Sequence, residues 1–378
     1  MIIAEDSAKK LLANYGLPVP RGRAVTSADE TVQVARELGG KGVVKALIPI
    51  GGRGKAGGVR VCDTPQHIYQ AASDLLGKEL LGHLVQTVLV EELMPVSREI
   101  YAGVVANSAT DRIDLIVSFA GGIEIENAAR KDASSLRQMS VNPGDVLPVH
   151  RVRRWLQQDK TGLAELPHLP EILVQLYRAA ADLDAMLLEI NPLALLTDGR
   201  IVLLDCKLEV DNNALVRQPE LIELYLASLS PREMRARELG VSYVPLDGDI
   251  GVITSGAGLG MATLDMLKNK GLSPANFLDT GGGISEQMVQ GALQLIMEPP
   301  RVRGAIINLY GGINRMLEAA KGVRAALENI QGARPVIVKV LGNQQEEAWA
   351  MLETLPNVHV IRVVQTEAAV ERLAQLLS

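Results

Sequence analysis

From residue 249 onward, short apolar runs alternate with helix-period patterns, and the first three runs each end in glycines. This alternation leaves few folds open to such a chain. The run 249–254 leads into Gly256-Ala257-Gly258 and a helical pattern over 259–270. The run 275–279 leads into Gly281-Gly282-Gly283 and a helix over 285–297, and 304–309 leads into Gly311-Gly312 and a helix over 315–329. Runs at 336–341 and 358–364 complete five strands. Strands separated by helices of this length imply βαβ units and a parallel sheet. The glycines then collect along the edge at the strands' carboxyl ends, where open α/β sheets bind ligands.

The first 225 residues have a different texture. A helix is expected over 5–15 and strands over 43–48, 84–91, 100–105 and 114–119. Two more, 187–190 and 201–204, are joined through the turn Thr197-Asp198-Gly199, which makes an α+β pattern with β-hairpins. The expected organisation is a domain over 1–227, a linker over 228–245, which contains a polar run and two prolines, and a second domain over 246–378. A length of 378 residues suits two or three domains.

Aromatic residues are 3% of the chain, so the core must rest on aliphatic side chains and no stacking surface for single-stranded nucleic acid is expected. The net charge of −6 is spread along the sequence and gives no case for a nucleic-acid or membrane partner. There is no apolar run of spanning length, and the acidic residues of the first helix argue against a targeting peptide. Two isolated cysteines, Cys62 and Cys206, fit a reducing compartment, so a cytoplasmic protein is expected.

Three clusters carry chemistry. The run Gly51-Gly52-Arg53-Gly54-Lys55-Ala56-Gly57-Gly58 offers backbone N–H groups and two cations to a phosphate, with Lys45 on the preceding strand directed at the same site. It lacks the Lys-Ser or Lys-Thr spacing of a Walker loop, and a flexible hairpin tip has the same composition. In either case its tip is expected to be exposed. Glu91-Glu92 and Glu99 are acidic groups able to hold a ribose or an exocyclic amine, or to form a solvated turn. Glu189-Ile190-Asn191-Pro192 and Leu204-Asp205-Cys206-Lys207 place hard oxygen ligands at strand ends, as Mg²⁺ requires beside phosphates. A turn at Asn191 and an ion pair between Asp205 and Lys207 are the alternative.

Several of these motifs resemble the succinyl-CoA synthetase beta subunit: Gly51 to Gly58, Glu189-Ile190-Asn191-Pro192-Leu193, and Asp211-Asn212-Asn213-Ala214-Leu215-Val216-Arg217-Gln218-Pro219. So do Gly256-Ala257-Gly258-Leu259, Pro274-Ala275-Asn276-Phe277-Leu278-Asp279, Gly281-Gly282-Gly283 and Gly311-Gly312-Ile313, in order over essentially the whole chain. The resemblance implies an ATP-grasp domain followed by a flavodoxin-like, parallel-sheet CoA-ligase domain. It makes Lys45, Gly52, Arg53, Gly54, Glu91 and Glu99 nucleotide contacts, with Met94 at a contact that is often Thr, and Asn191 and Asp205 the magnesium ligands. Gly312, Ile313 and Asn314 fall on the carboxylate-substrate loop and Ser255 on a substrate-contacting Asn. Ser255 and Asn314 depart from the succinate pattern, and Asn314-Arg315 is similar to malate–CoA ligase beta subunits.

The same resemblance implies ATP or GTP as phosphoryl donor and a dicarboxylic acid, succinate or malate, as acceptor. It also implies an alpha-type partner subunit that carries the phosphorylated histidine and most of the CoA site. The histidines present, His67, His83, His150, His168 and His359, lie in no glycine-rich loop. A stand-alone ATP-grasp carboxylate–amine ligase and a non-catalytic binding subunit remain the other two readings.

Overall fold

The chain is described from a computed structural model that covers residues 1–119, 136–158, 162–330 and 332–377. It divides into two compact units, Met1–Ser228 and Leu229–Ser378.

In the second unit the apolar runs pair as parallel strands. Ile250–Thr254 is buried at every position, as a strand covered on both faces must be. Gly304–Arg315 pairs with it on one side and Asn276–Asp279 on the other, and Val336–Asn343 and Val358–Val360 follow outward. Numbered in chain order these five strands run 2-1-3-4-5, the flavodoxin-like order, which reverses direction between the first and third.

Successive residues face opposite sides and feed different cores. Ile307 and Val338 pack with the helices Glu286–Met297, Met316–Leu327 and Gln345–Leu352, whereas Ile306 and Ile337 pack with Ala257–Asn269 and Thr366–Leu377. Each such buried aliphatic side chain contributes about 1.5–3 kcal/mol. Aliphatic side chains therefore make up almost all of both cores, and Trp349 is the aromatic residue buried in the first.

Residues 228–245, expected as a linker, are folded. The helix Pro231–Glu238 starts on a capping box between Ser230 and Glu233, and Ser242–Pro245 pairs antiparallel with Asn276–Asp279. The prolines misled because Pro231 occupies the first helical turn, where its missing N–H costs nothing. The last expected strand is also shorter, Val358–Val360 instead of 358–364.

The first unit holds two larger antiparallel sheets. Gly22–Val25, Val88–Glu91, Gly42–Ala46 and Val59–Cys62 form one, in that spatial order. The larger sheet runs Ile2–Ile3, Cys206–Val210, Ala185–Leu196, Val96–Asn107, Arg112–Ser118 and Arg137–Val141, with Ile201–Leu203 also paired to Ala185–Leu196. The expected pairing of 187–190 with 201–204 is corrected. Ile201–Leu203 pairs with residues 193–195, and residues 187–190 pair with Cys206–Val210. One long strand thus carries both partners on the same edge, and its register shifts at Asn191-Pro192, between Ile190 and Leu193. Among the described residues no helix is long and apolar enough to cross a membrane.

Candidate functional site

Lys45, Gly52, Arg53, Gly54, Glu91, Met94, Glu99, Asn191 and Asp205 all line one cleft of about 1480 Å³ in the first unit. Different elements deliver them. Lys45 comes from Gly42–Ala46, Glu91 from Val88–Glu91, and Asn191 from the register shift in Ala185–Leu196. Asp205 lies on the two-residue link between Ile201–Leu203 and Cys206–Val210. The glycine loop folds as successive turns, with Gly52 and Gly57 at positive φ, and the Gly58 N–H donates to the Arg53 carbonyl (2.8 Å).

Arg53 is not at an exposed tip. Its side chain turns inward and is 8% exposed, donating to Glu5 Oε2 (2.7 Å), Asp205 Oδ1 (2.8 Å) and the Ala46 carbonyl (3.0 Å). Small glycines let the loop fold back, and the two carboxylates supply the attraction. Lys45 is equally enclosed, paired with Glu5 Oε1 (2.8 Å) and Glu91 Oε2 (2.7 Å) and bonded to the Leu204 carbonyl. Lys9 pairs with Glu5 Oε1 (2.8 Å) and Glu91 Oε1 (2.6 Å) and donates to the same carbonyl (2.7 Å). Three cations and three carboxylates therefore balance in one network.

Burial works against the charge of each member, and the pairing decides which charges survive. Lys45 is held above the ordinary lysine value because Glu5, Glu91 and Asp205 outweigh its burial. Arg53 is raised likewise by Asp205 and Glu5. Glu5 loses solvation but is held below the usual carboxylate range by Lys45, Lys9 and Arg53. Asp205 goes the other way: burial and the charge of Glu5 push its carboxyl up despite the three cations.

The Asp205 side chain is also the most open of the network, at 37% exposure. Asn191 lines the same cleft, so an amide and a carboxylate, both side chains with hard oxygen atoms, belong to its wall. No group of three His, Cys, Asp or Glu side chains able to hold a metal occurs among the described residues. The pair fits a cation such as Mg²⁺, which takes the rest of its shell from phosphates and waters. Glu99 is exposed on the same wall, and Met94 packs against the small core of Ala194, Leu196 and Val202. Tyr101, also on the cleft, has its hydroxyl pushed up to about 12 by burial and by Glu189, so it stays protonated.

Sequence reasoning missed Glu5 and Lys9. The signal was present: in the first helix, Glu5–Ala13, the buried stripe is Glu5, Ala8, Lys9 and Leu12. Two charges on the i, i+3, i+4, i+7 face of an amphipathic helix call for partners inside.

At the ligand edge of the second unit, side chains knit the glycine loops together. Asp279 Oδ1 accepts from the Gly256 N–H (2.6 Å) and the Gly281 N–H (2.8 Å). Ser255 Oγ accepts from the Tyr310 N–H (2.9 Å), and Asn314 Oδ1 accepts from the N–H groups of Gly283 (3.0 Å) and Ile284 (3.3 Å). Gly312, Ile313 and Asn314 leave the strand ladder between Gly311 and Arg315, and Ile313 is 95% exposed. None of the histidines lies on these loops.

A family model for the ATP-grasp domain matches residues 2–195, and one for CoA-ligase matches residues 253–375. The succinate–CoA ligase [GDP-forming] subunit beta of Thermus thermophilus is 42% identical over 94% of each chain. The [ADP-forming] subunit beta of Roseiflexus sp. is 41% identical over 93% of each. That of Desulfurococcus amylolyticus is 38% identical over 100% of this chain and 99% of its own. In fold, the chain is similar to an ATP citrate lyase from Methanothrix soehngenii, with a TM-score of 0.76 at 19% identity over 100% of this chain and 99% of that one. With matched domains spanning both units and such identity along nearly its whole length, the chain belongs to the succinate–CoA ligase beta-subunit family.

Proposed function

We propose that the chain is the nucleotide-binding half of an ADP- or GDP-forming acid–thiol ligase, completed by an alpha-type subunit with the phosphorylated histidine and the CoA site. The observation that carries this is the convergence of Lys45, Arg53, Asn191 and Asp205 on one cleft beside a glycine loop. The γ-phosphoryl group passes to a ring nitrogen of the partner's histidine as the nucleoside diphosphate leaves. A substrate carboxylate oxygen then takes the phosphoryl group, and the CoA thiol displaces phosphate from the acyl carbon.

This chain's part is to bind and orient. Lys45 and Arg53 hold phosphate oxygens in a cleft where charges act at close range, which is how enzymes stabilise a transferring phosphoryl group. Asn191 and Asp205 are the residues that would hold magnesium, which when bound would supply positive charge to offset that of the phosphates. Glu91 and Glu99 contact the nucleotide. The second unit supplies the carboxylate-binding loop, Gly312 to Asn314, with Ser255 beside it. That unit's CoA-ligase match has no purpose in a carboxylate–amine ligase.

The substrate is a dicarboxylic acid of succinate type. Ser255 and Asn314 favour a second reading in which it carries a hydroxyl, as malate does, because their polar groups stand at the ligand edge. Asn314 Oδ1 is already engaged by the loop, so its amide NH₂ is the group left for a substrate oxygen. The test is thioester formation by the chain reconstituted with its alpha-type partner, over a panel of carboxylic acids, with ATP and GTP. Any dicarboxylic thioester made only by the pair supports the function, and a thioester made by the lone chain overturns it. For malate, wild type should favour it over succinate and Asn314→Val should reverse the preference about ten- to a hundredfold. If Asn314→Val slows both acids equally, Asn314 only holds the loop.

A further inference from the structure

The Lys45 ammonium is enclosed by three oxygens: it donates to Glu5 Oε1 and the Leu204 carbonyl and stands 2.7 Å from Glu91 Oε2. Lys9 makes the same three kinds of contact, to Glu5, Glu91 and Leu204. Arg53 uses three of its five donors, on Ala46, Glu5 and Asp205, and keeps two over. Arg53 can therefore meet a phosphate without losing a partner. Lys45 cannot.

For Lys45 to turn to a phosphate, it must leave at least one carboxylate, and both are almost wholly enclosed: Glu5 is 4% exposed and Glu91 is 3% exposed. A buried carboxylate stripped of its cation is strongly unfavourable. The structure provides against this. Glu5 Oε1 stands 2.8 Å from Lys9 Nζ as well as from Lys45 Nζ, and Glu91 accepts from Lys9 through both oxygens, at 2.6 and 2.8 Å. When Lys45 moves, Lys9 remains on both carboxylates.

Resting on the nucleotide-binding reading of the cleft, we propose that Glu5 and Lys9 are positioning residues that let Lys45 exchange its carboxylates for nucleotide phosphate. Glu5 holds Lys45 and Arg53 side by side in the resting cleft. Lys9 is the stationary counter-cation that keeps Glu5 and Glu91 neutralised during the exchange. It also holds the Leu204 carbonyl, and with it the main chain that carries Asp205. The two residues are one helical turn apart and their side chains touch, yet the exchange gives them opposite signs. Removing Lys9 opposes the departure of Lys45. Removing the charge of Glu5 eases it.

The test is the dissociation constant of Mg-nucleotide, by calorimetry on the full chain, beside the melting temperature of each variant. Lys9→Met should weaken binding about tenfold or more, as expected when one buried pairing is lost only in the bound state. Lys9→Arg keeps the cation and should restore affinity. Glu5→Gln should bind as tightly as wild type or more tightly. The double variant Lys9→Met with Glu5→Gln has two cations and two carboxylates. It should return toward wild-type affinity and stays informative if Lys9→Met alone does not fold. Equal weakening by both single variants in step with their melting temperatures means a structural role and overturns the proposal. So does an affinity unchanged by Lys9→Met, or a Glu5→Gln affinity lowered tenfold at unchanged melting temperature. Failure of the wild-type chain to bind Mg-nucleotide would instead remove the functional reading beneath it.

Discussion

Arg53 and Asp205 touch at 2.8 Å, yet their loss should have different consequences. Arg53→Ala leaves two carboxylates without a cation they share, one of them enclosed. The expected cost is about 3 kcal/mol of stability, the lower end for a broken buried pair, because Asp205 keeps some solvent. Nucleotide affinity should fall with it. Asp205→Ala removes a carboxylate whose ionisation burial and Glu5 already disfavour, and Arg53 keeps Glu5. Its fold should hold while phosphorylation of the partner falls about a thousandfold, roughly 4 kcal/mol of transition-state stabilisation. Urea midpoints of the two variants, with phosphorylation rates of the reconstituted pair, separate these outcomes. An Asp205→Ala variant of near-normal rate would remove it from the metal site. At this scale the sequence showed which residue types could do phosphate chemistry. It did not show that Arg53 is enclosed, because burial depends on Glu5, 48 residues away.

Between elements, the second unit holds a buried polar network that spans two strands and two helices. Lys339 Nζ donates to Asn308 Oδ1 (3.1 Å), and Asn308 Nδ2 donates to Thr263 Oγ1 (3.0 Å) and Thr366 Oγ1 (3.2 Å). Burial lowers the Lys339 pKa, with Glu367 opposing. A lysine depressed in the folded state binds its proton more tightly when unfolded. Its contribution to stability is therefore fully present above the ordinary value of 10.5 and is lost as pH falls through the folded value. Stability should rise with pH over that window in wild type, and Lys339→Met should flatten the rise. The difference in urea midpoint between the two proteins, at pH 7.5 and at about pH 10, measures it. A difference that does not change with pH sinks the prediction. The strands were legible here because parallel strands are apolar on both faces. Residues 228–245 were not, because proline in a first helical turn and proline in a linker look alike in sequence.

Each unit carries one tryptophan, Trp155 in the first and Trp349 in the second. In the Trp349→Phe variant, fluorescence reports the first unit alone, so Mg-nucleotide at a hundred times its dissociation constant should raise the stability read by Trp155 by about 2.7 kcal/mol. No shift would mean that the ligand does not bind this unit. Taken whole, the sequence by itself determined the succession of strands and helices from residue 249 onward, the parallel sheet they form, its glycine edge and the residue types around the cleft. Those follow from local periodicity and from what glycine, cations and carboxylates can do. Only the tertiary structure decided that Arg53 is buried, that residues 187–190 pair with Cys206–Val210, and that Asn314 binds the Gly283 loop. Only it brought Glu5 and Lys9 to Lys45, Glu91 and Asp205. The physical reason is range: periodicity is read over neighbours in the chain, whereas a buried charge is settled by whichever distant opposite charge the fold brings within about 3 Å.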